Sequence, residues 1–473
     1  MKPVSFPPLL STAALCLLGG LVANVAHASS PNLSAVRPVG GQRGTEVEVV
    51  LSGARLGDAQ EIVYYQPGIT TVSIEKIDDN SVKAKLKIEP DASMGLHDLR
   101  VRTATGLSDL RTFSVGALKE VNETEPNNDF AAPQPIAMNV TVNGVADSED
   151  VDYFVVEAKQ GERISVEVEG MRLGITQFDP AVAILNTKRF ELASSDDAAL
   201  IWQDGFASIL APEDGKYIIQ VRESAYAGNG SCLYRLHIGN FPRATAVFPP
   251  GGKLGEKLSV TWIGDPTGDV TTEVTLPATH QANFGLTWSD AQGVSPYPNA
   301  FRLSDLDNVI ETEPNNEQTQ ATPFTAPAAL NGVINKPGDI DHYVFTAKKG
   351  QTFDFKVYGR QLRTPIDSVL YLGKKGGGAA VGSDDTTNPD SAFRYTSPED
   401  GEYVIWILDQ LTKGGPDYTY RIEVTTVEPK LALSAVTEQM MLGTGVIAVS
   451  VPKGNRQAIL LNGSGSDYGG DVA

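Results

Sequence analysis

A six-residue string, ETEPNN, occurs twice in this chain, at residues 123–128 and again at 311–316. Glu123, Glu125 and Asn127 alternate along the first copy, so an extended backbone would carry all three side chains on one side. The proline within the string favours an extended conformation for the residue before it. The string therefore offers two carboxylates and one amide oxygen in a single direction, which is the chemistry of a site for a hard cation.

Two aspartates spaced two residues apart follow each copy of the string. They are Asp150 and Asp152 in DVD, and Asp339 and Asp341 in DID. Carboxylate and amide oxygens form the set that Ca²⁺ binds with six to eight ligands, whereas Mg²⁺ usually keeps its waters. No thiol or imidazole accompanies these residues, which argues against zinc. The alternative is a solvated linker whose asparagines cap a turn, because a duplicated module also duplicates its linker.

The string belongs to a longer internal repeat. The sequences NGV, SDD and PEDG each recur 186 to 188 residues later, and YRL at position 234 returns as YRI at position 420. Offsets that drift so little predict one structural module used twice, with short changes in its loops.

Each copy has the sequence pattern of β-structure. In the first copy, Ile164, Val166 and Val168 are separated by single polar residues, which predicts a strand with one buried face. The PEDG element predicts a turn before the next strand, because Pro presets φ and Gly accepts a positive φ. We find no amphipathic pattern longer than two helical turns. The predicted fold class is all-β, with several antiparallel β-sandwiches in tandem, immunoglobulin-like and jelly-roll-like.

The motifs ETEPNN, DVDYF, PEDGKY and YRL, with their second copies, resemble the bacterial pre-peptidase C-terminal (PPC) domain. This resemblance implies a jelly-roll-like sandwich of the kind appended to exported peptidases and related to the collagen-binding modules of collagenases. The stretch AVRPVGGQRGTEVEVVLSGARLGD, followed by GLSDLRTFSV, resembles an immunoglobulin-like IPT/TIG domain. The order of these domains is similar to that of large exported proteins of planctomycete-type bacteria.

The motifs divide the chain into six predicted segments. The small β domain is included because FPPGGKLGEKLSVTW echoes RPVGGQRGTEVEVVL of the immunoglobulin-like domain. The segments are a signal peptide at 1–28, an immunoglobulin-like domain at 29–117, a PPC-like sandwich at 118–241, a small β domain at 242–308, a second PPC-like sandwich at 309–427, and the start of a further, truncated β domain at 428–473.

The resemblance to collagen-binding modules also implies a structural calcium site, held by an acidic N-terminal linker and by aspartates of the first core loop. The implied ligands in the first copy are Glu123, Glu125, Asn127, Asp150 and Asp152. In the second copy they are Glu311, Glu313, Asn315, Asp339 and Asp341. The loop before the aspartates is ADSE in one copy and NKPG in the other, so the two ligand sets need not be equal.

The N-terminal segment predicts export. A lysine at position 2, an apolar run through residues 9–25 and the small residues of Ala26-His27-Ala28 match a cleaved signal peptide, with an uncleaved membrane anchor as the alternative. No later run approaches the roughly 20 apolar residues of a membrane helix, so no membrane insertion is expected after cleavage. The expected location is secreted or in the cell envelope. Cys232 would be the single thiol of the mature chain, which excludes an intramolecular disulfide.

The charge of the chain limits its partners. Its 38 basic and 58 acidic residues give a formal net charge of −20. Nucleic acids and anionic lipids require clustered lysine and arginine, so neither is expected as a partner. The acidic balance suits a medium that contains divalent cations, although many exported proteins are simply acidic.

The sequence contains no motif with catalytic spacing. H-E-x-x-H and G-x-S-x-G are absent, and the five histidines are scattered. Trp406 faces away from the predicted core residues Tyr403 and Ile405, so it either packs on an outer sheet surface or contributes to a binding face. We expect a non-catalytic, calcium-stabilised adhesion or scaffolding protein that binds an extracellular protein or polysaccharide. The alternative is the accessory region of an exported peptidase or other hydrolase whose catalytic domain lies outside this chain.

Overall fold

The computed structural model describes residues 30–386 and 389–427, with the short pieces 432–435, 453–454, 456 and 461–464. The predicted signal peptide and most of the sixth segment lie outside the described residues. The helical elements of the described part are four 3₁₀ turns, at Met171–Leu173, Ala199–Ile201, Gln318–Gln320 and Arg360–Leu362. The all-β prediction is confirmed. Within the same residues, no helix is long and apolar enough to cross a membrane.

The N-terminal domain is built from two facing sheets. Their strand orders are β1-β3-β6-β5 and β2-β9-β7-β4, with β8 paired to β7, and only the short β2–β9 pair is parallel. Leu51 of one sheet and Val101 of the other belong to the shared core. The strands are β1 (Asn32–Arg37), β2 (Gly40–Gln42), β3 (Glu46–Ala54), β4 (Glu61–Tyr64), β5 (Ile69–Lys76), β6 (Ser81–Ile88), β7 (Gly95–Thr103), β8 (Gly106–Leu107) and β9 (Arg111–Gly116).

The first sandwich has two five-stranded sheets, in the orders β10-β12-β19-β14-β17 and β11-β13-β18-β15-β16. Side chains such as Val166 and Ile219 fill the space between the sheets. Its strands are β10 (Lys119–Asn122), β11 (Gln134–Pro135), β12 (Val140–Val145), β13 (Val151–Ala158), β14 (Arg163–Glu169), β15 (Pro180–Asn186), β16 (Glu191–Ser195), β17 (Phe206–Leu210), β18 (Gly215–Glu223) and β19 (Leu233–Gly239).

A small β domain follows. Its core contains Trp262 and Trp288, whose rings stack with centroids 5.5 Å apart. The pair β21–β28 is parallel, as β2–β9 is in the N-terminal domain. The strands are β20 (Ala246–Phe248), β21 (Gly251–Lys253), β22 (Lys257–Ile263), β23 (Val270–Thr275), β24 (Gly285–Leu286), β25 (Ser289–Asp290), β26 (Gly293–Val294), β27 (Asn299–Ala300) and β28 (Arg302–Ser304).

The second sandwich repeats the strand order of the first, as β29-β31-β38-β33-β36 and β30-β32-β37-β34-β35. Its strands are β29 (Asn308–Ile310), β30 (Thr322–Pro323), β31 (Ala328–Val333), β32 (Asp341–Ala347), β33 (Thr352–Tyr358), β34 (Ser368–Lys374), β35 (Val381–Ser383), β36 (Ala392–Thr396), β37 (Gly401–Asp409) and β38 (Thr419–Thr426). After it, β39 (Ala432–Ala435) pairs antiparallel with β40 (Leu461–Ser464).

Strand β14 differs from the expectation of one buried and one exposed face, because every residue in it is buried. The small β domain and the N-terminal domain cover the second face, and Ser114 of the N-terminal domain donates to Glu169 Oε2 at 2.7 Å. Arg243 places its Nε 2.6 Å from Glu167 Oε2, and Asp265 Oδ1 accepts from Arg163 Nη1 at 3.0 Å. The alternating polar residues of β14 therefore face a neighbouring domain instead of solvent.

Candidate metal centre

The ETEPNN segments, which we call the straps, cross from one sheet to the other in each sandwich. In the first sandwich the strap connects β10, parallel to β12, with β11, parallel to β13. The loop 146–150 makes the same crossing between β12 and β13. Since both connections run between the same two pairs of strands, the strap lies beside the loop that leads into the DVD motif. The second strap, between β29 and β30, has the same arrangement. The peptide bond before the proline of each strap is cis.

Three carboxylates meet in the first sandwich. One oxygen each from Glu123, Glu125 and Asp152 lies within 4.8 Å of the other two. The backbone N–H of Val145 donates to Glu123 Oε1 at 2.8 Å. The hydroxyl of Tyr234 lies 2.8 Å from Glu123 Oε2 and 2.6 Å from Asp152 Oδ2. A single hydroxyl proton cannot serve both oxygens fully, so the cluster holds more acceptor oxygens than it has donors.

The amide of Asn127 is the most informative group beside this cluster. The residue is 1% exposed, and neither its side-chain oxygen nor its nitrogen has a hydrogen-bond partner among the described residues. Its backbone is fixed, because its N–H donates to Glu125 Oε2 at 2.9 Å and its carbonyl accepts from the N–H of Tyr153 at 3.1 Å. Asp152 Oδ1 is likewise buried without a partner. Such groups cost about 1–3 kcal/mol each unless an ion or water satisfies them.

The second sandwich repeats the cluster with a different membership. Oxygens of Glu313, Asp339 and Asp341 lie within 4.8 Å of one another. The hydroxyl of Tyr420 is 2.7 Å from Asp341 Oδ2 and 3.2 Å from Glu311 Oε2. The geometry of the first site, in which one tyrosine bridges a strap glutamate and the second aspartate, is thus present again.

Asn315 is fully buried at the centre of the second site. One end of its carboxamide lies 3.0 Å from Asp341 Oδ1 and 3.2 Å from Glu313 Oε2. If that end is the nitrogen, it donates to both carboxylates. If it is the oxygen, three oxygens face a common point, an arrangement that a bound cation stabilises.

Two of the predicted carboxylate ligands, Asp150 and Glu311, lie outside the three-carboxylate clusters. Asp150 is buried, and its oxygens accept from the side chain of Asn128 and, at 3.3 Å, from the N–H of Asp147. It therefore holds the strap against the loop. Glu311 of the second site accepts from the hydroxyl of Tyr420 at 3.2 Å and from the backbone N–H of Val333 at 2.8 Å, and its carboxyl also hydrogen-bonds with that of Asp341.

Burial shifts the acid–base equilibria of these carboxyls. It raises the pKa of Glu123 to about 7 and that of Asp152 to about 8. In the second site, burial raises the pKa of Glu311 to about 7 and that of Asp341 to about 9. Neighbouring carboxylates add to the increase, since like charges disfavour ionisation.

Sequence reasoning missed the tyrosines of both sites. Tyr234 and Tyr420 open the repeated YRL and YRI motifs, so their recurrence was the available signal. Tyr343 adds a hydroxyl 2.9 Å from that of Tyr420, at a place where the first sandwich has Phe154.

The residues present fit a hard divalent cation. The groups facing each cluster are carboxylate, amide and phenol oxygens, which suit Ca²⁺ better than a softer metal. The described residues therefore contain two acidic clusters, at equivalent positions in two sandwiches, that can bind a metal ion.

A third acidic group lies on the second sandwich. Oxygens of Asp367, Asp384 and Asp385 are within 4.8 Å of one another, and Arg360 Nη2 lies 3.3 Å from Asp367 Oδ2. Asp384 and Asp385 are exposed, and the arginine supplies a positive charge to the group. These features favour a solvated turn over an ion site.

Trp406 lies in a row of aromatic rings on the outer face of the second sandwich. It stacks between His342 and Tyr371, with ring centroids 6.0 Å and 5.4 Å away. His342 is only 8% exposed, because the indole covers it and its Nδ1 lies 3.0 Å from the carbonyl oxygen of Asn315. The equivalent row in the first sandwich is Tyr153, Gln220 and Ala183, of which one is aromatic.

The fold and the clusters define a multi-domain, all-β protein with paired candidate metal sites. No protein-family model matches the chain. A stretch of 104 residues is 31% identical to a probable subtilase-type serine protease of Deinococcus radiodurans, and covers 21% of this chain but only 14% of that protease.

Two solved structures are similar at low TM-scores. The PPC domain of collagenase from Bacillus anthracis is 15% identical, with 22% of this chain and 94% of that chain covered and a TM-score of 0.19. PliG, a periplasmic lysozyme inhibitor of Aeromonas hydrophila, is 19% identical, with 25% and 99% covered and a TM-score of 0.19.

Proposed function

We propose that each sandwich binds one structural Ca²⁺ between its strap and the second aspartate of the DVD or DID motif, which is Asp152 of β13 in the first sandwich and Asp341 of β32 in the second. The observation that carries this proposal is the buried carboxamide of Asn127: neither of its polar atoms has a hydrogen-bond partner among the described residues, and its backbone N–H is bonded to Glu125 of the cluster. A cation bound by the cluster can take the amide oxygen as a ligand and neutralises the carboxylates at the same time. Chemically the ion acts as a cross-link and catalyses nothing.

The position of the strap explains why such a cross-link stabilises the fold. The strap joins the two sheets at their edges, where β10 and β11 are short. Without the ion, full ionisation of these carboxyls is unfavourable, because each would add a like charge to a buried cluster. Calcium modules of extracellular proteins bind at roughly 10⁻⁴–10⁻³ M, so we expect a weak site that fills in calcium-rich media.

The test compares thermal unfolding of the whole chain in EDTA and in excess CaCl₂. At ten times the Kd, binding adds about 1.4 kcal/mol to the free energy of unfolding of one sandwich. For a domain of this size that corresponds to a rise in Tm of about 3–6 °C. The double variant Glu125→Ala with Asp152→Ala should lose the part of this rise that belongs to the first sandwich.

Glu157→Ala provides the matched control, because Glu157 is an exposed carboxylate on the same strand as Asp152. It should keep the full calcium response. Identical melting curves of the unaltered chain in EDTA and in calcium would refute the metal proposal.

For the whole chain, we propose an exported, non-catalytic protein that binds or scaffolds at the cell surface. Its partner would be an extracellular protein or polysaccharide, and the aromatic row of His342, Trp406 and Tyr371 is the surface we propose for the contact. Trp406 and Tyr371 are partly exposed, and aromatic rings of this kind can pack against apolar parts of sugars and against apolar side chains. Retention of the chain on insoluble polysaccharides and on immobilised extracellular-matrix proteins tests the idea. Trp406→Gln introduces the residue found at the equivalent position of the first sandwich, and should abolish the retention.

A second candidate is the accessory region of an exported peptidase. It is favoured by the 104-residue similarity to a subtilase-type serine protease. Both candidates predict that the purified chain does not cleave a fluorescent casein substrate. Cleavage that a serine-directed inhibitor blocks would overturn the non-catalytic proposal in either form.

A further inference from the structure

One difference between the two candidate cation sites lies in the loop that precedes the paired aspartates. Asp147 and Asn335 occupy the equivalent position, four residues after the asparagine of the repeated NGV motif. The backbone N–H of each donates to the first aspartate of the DVD or DID motif: Asp147 to Asp150 Oδ2 at 3.3 Å, and Asn335 to Asp339 Oδ2 at 3.0 Å. The two backbones thus take the same place, while one side chain is a carboxylate and the other an amide.

In the second site, the side chain of Asn335 hydrogen-bonds to the carboxylate of Glu313 in the strap. Its side-chain Nδ2 donates to Glu313 Oε1 at 2.6 Å, and the backbone N–H of Asn315 donates to Glu313 Oε2 at 3.0 Å. Both oxygens of Glu313 therefore already accept hydrogen bonds. A cation that uses Glu313 must share it with these donors or displace the amide.

In the first site, the equivalent strap residue is Glu125, and one of its two carboxylate oxygens accepts no hydrogen bond from the described residues. Glu125 Oε2 accepts from the N–H of Asn127 at 2.9 Å, but no hydrogen bond to Glu125 Oε1 occurs among the described residues. Asp147 cannot donate to it. The Asp147 side chain is exposed, and its Oδ1 accepts from the N–H of Ser148 at 3.0 Å.

We propose that the two sites have unequal affinities, with the first sandwich binding the divalent cation more tightly, and that Asp147 and Asn335 set the difference. This inference rests on the proposed calcium sites. Two effects act in the same direction. Asp147 adds a negative charge near the first site. In addition, Glu125 Oε1 is free to bind a cation, whereas Glu313 Oε1 accepts a hydrogen bond from the amide of Asn335. Because ligand charge tunes calcium affinity over several orders of magnitude, we expect the Kd values to differ about tenfold.

The consequence is a graded response to calcium. At intermediate concentrations the first sandwich is loaded and stiffened while the second is still free of the ion. The second sandwich, which carries the aromatic row of His342, Trp406 and Tyr371, then responds to calcium in a higher range.

The test is isothermal titration of the complete chain, stripped with EDTA, with CaCl₂ as the ligand. Glu125→Gln and Glu313→Gln assign the two binding events, since each should remove one of them. The reciprocal exchanges then probe the inference. Asp147→Asn should weaken the tight site about tenfold, and Asn335→Asp should strengthen the weak site by a similar factor. Circular dichroism establishes that each variant is folded.

Glu149→Gln serves as the control for general electrostatics, because it removes one charge from the same exposed loop without touching the position in question. It should change the Kd of the first site less than Asp147→Asn does. Equal Kd values for the two sites, a tighter second site, or exchanges without effect would each overturn the inequality and leave the calcium sites standing. Absence of any calcium binding by the folded chain would instead refute the proposed function.

Discussion

The guanidinium of Arg235 donates to the hydroxyl of Ser114 at 2.7 Å, across the boundary between the first sandwich and the N-terminal domain. Arg235 is fully buried, and it also reaches Glu169 Oε2 at 2.7 Å and Glu120 Oε1 at 2.6 Å. The second sandwich makes the same kind of contact, since its equivalent arginine donates to Ser304 of the preceding small domain at 2.8 Å. A buried arginine of each sandwich therefore hydrogen-bonds to a serine of the domain before it.

This arrangement predicts that Arg235→Met destabilises the first sandwich strongly. The substitution leaves Glu169 buried without its main partner, and breaking a buried ion pair in this way costs about 3–5 kcal/mol. Urea unfolding followed by tryptophan fluorescence and circular dichroism measures the loss. Arg102→Met is the control, because Arg102 forms an exposed pair with Glu61 and should have little measurable effect.

A second substitution separates the charge effect from packing. Adding Glu169→Leu to Arg235→Met removes the orphan carboxylate, so the double variant should recover much of the lost stability. A double variant as unstable as the sum of the two single variants would show that the arginine acts through volume and not through its charge.

Strand β14 illustrates what the sequence could and could not reveal. Its alternation predicted the core residues Ile164, Val166 and Val168, which are all buried. The same alternation suggested exposure for Glu167 and Glu169, yet both are buried under other domains. Periodicity reports which residues share a face of a strand. It carries no information on whether another domain later covers that face.

The candidate sites divide in a similar way. The recurrence of the strap and of the paired aspartates identified acidic residues, and the sheet topology brings Glu125 and Asp152 within reach of each other. The bridging role of Tyr234 depends on β19 lying beside β12, a long-range pairing that no local pattern encodes. The buried amide of Asn127 was expected as a ligand, but its lack of any partner became visible only once the neighbouring atoms were placed.

Trp202 of the first sandwich and Arg363 of the second form a cation–π contact between the two domains. The guanidinium carbon of Arg363 lies 3.7 Å from the centroid of the indole, and Tyr297 of the small domain approaches the same ring edge-on. A cation–π contact of this kind contributes about 0.5–2 kcal/mol. We expect a coupling energy in that range from a double-mutant cycle of Trp202→Ala and Arg363→Ala, measured by chemical unfolding. Additive effects of the two substitutions would argue against an energetically significant cation–π interaction.

The backbone at Trp202 allows a sharper comparison. The residue has φ 64° and ψ −119°, a conformation that glycine adopts far more readily than residues with a Cβ. Trp202→Gly and Trp202→Ala both remove the ring, but only glycine relieves the backbone. The glycine variant should be more stable than the alanine variant by about 1 kcal/mol or more. The opposite order would mean that the loop readjusts when the ring is removed.

His97 of β7 should make the N-terminal domain less stable in mild acid. The ring is 1% exposed; its Nε2 lies 2.7 Å from the carbonyl oxygen of Ser93, and its Nδ1 has no partner among the described residues. Burial lowers the pKa of His97 below its usual value, although the neighbouring Asp98 favours the charged form. The unfolded chain therefore binds more protons than the folded one between the lowered pKa and about 6.5, the ordinary value for histidine.

The sign of this effect follows directly. The stability contributed by neutral His97 is fully present above about pH 6.5 and is lost as the pH falls towards the lowered pKa of the folded state. His97→Gln can still donate to Ser93 and does not titrate, so its free energy of unfolding should decline less than that of the unaltered protein between pH 7 and pH 5.5. Urea unfolding at both pH values measures the difference, in which all other titrating groups cancel because both proteins contain them. Parallel pH profiles would show that the folded state accommodates a protonated His97 at no cost.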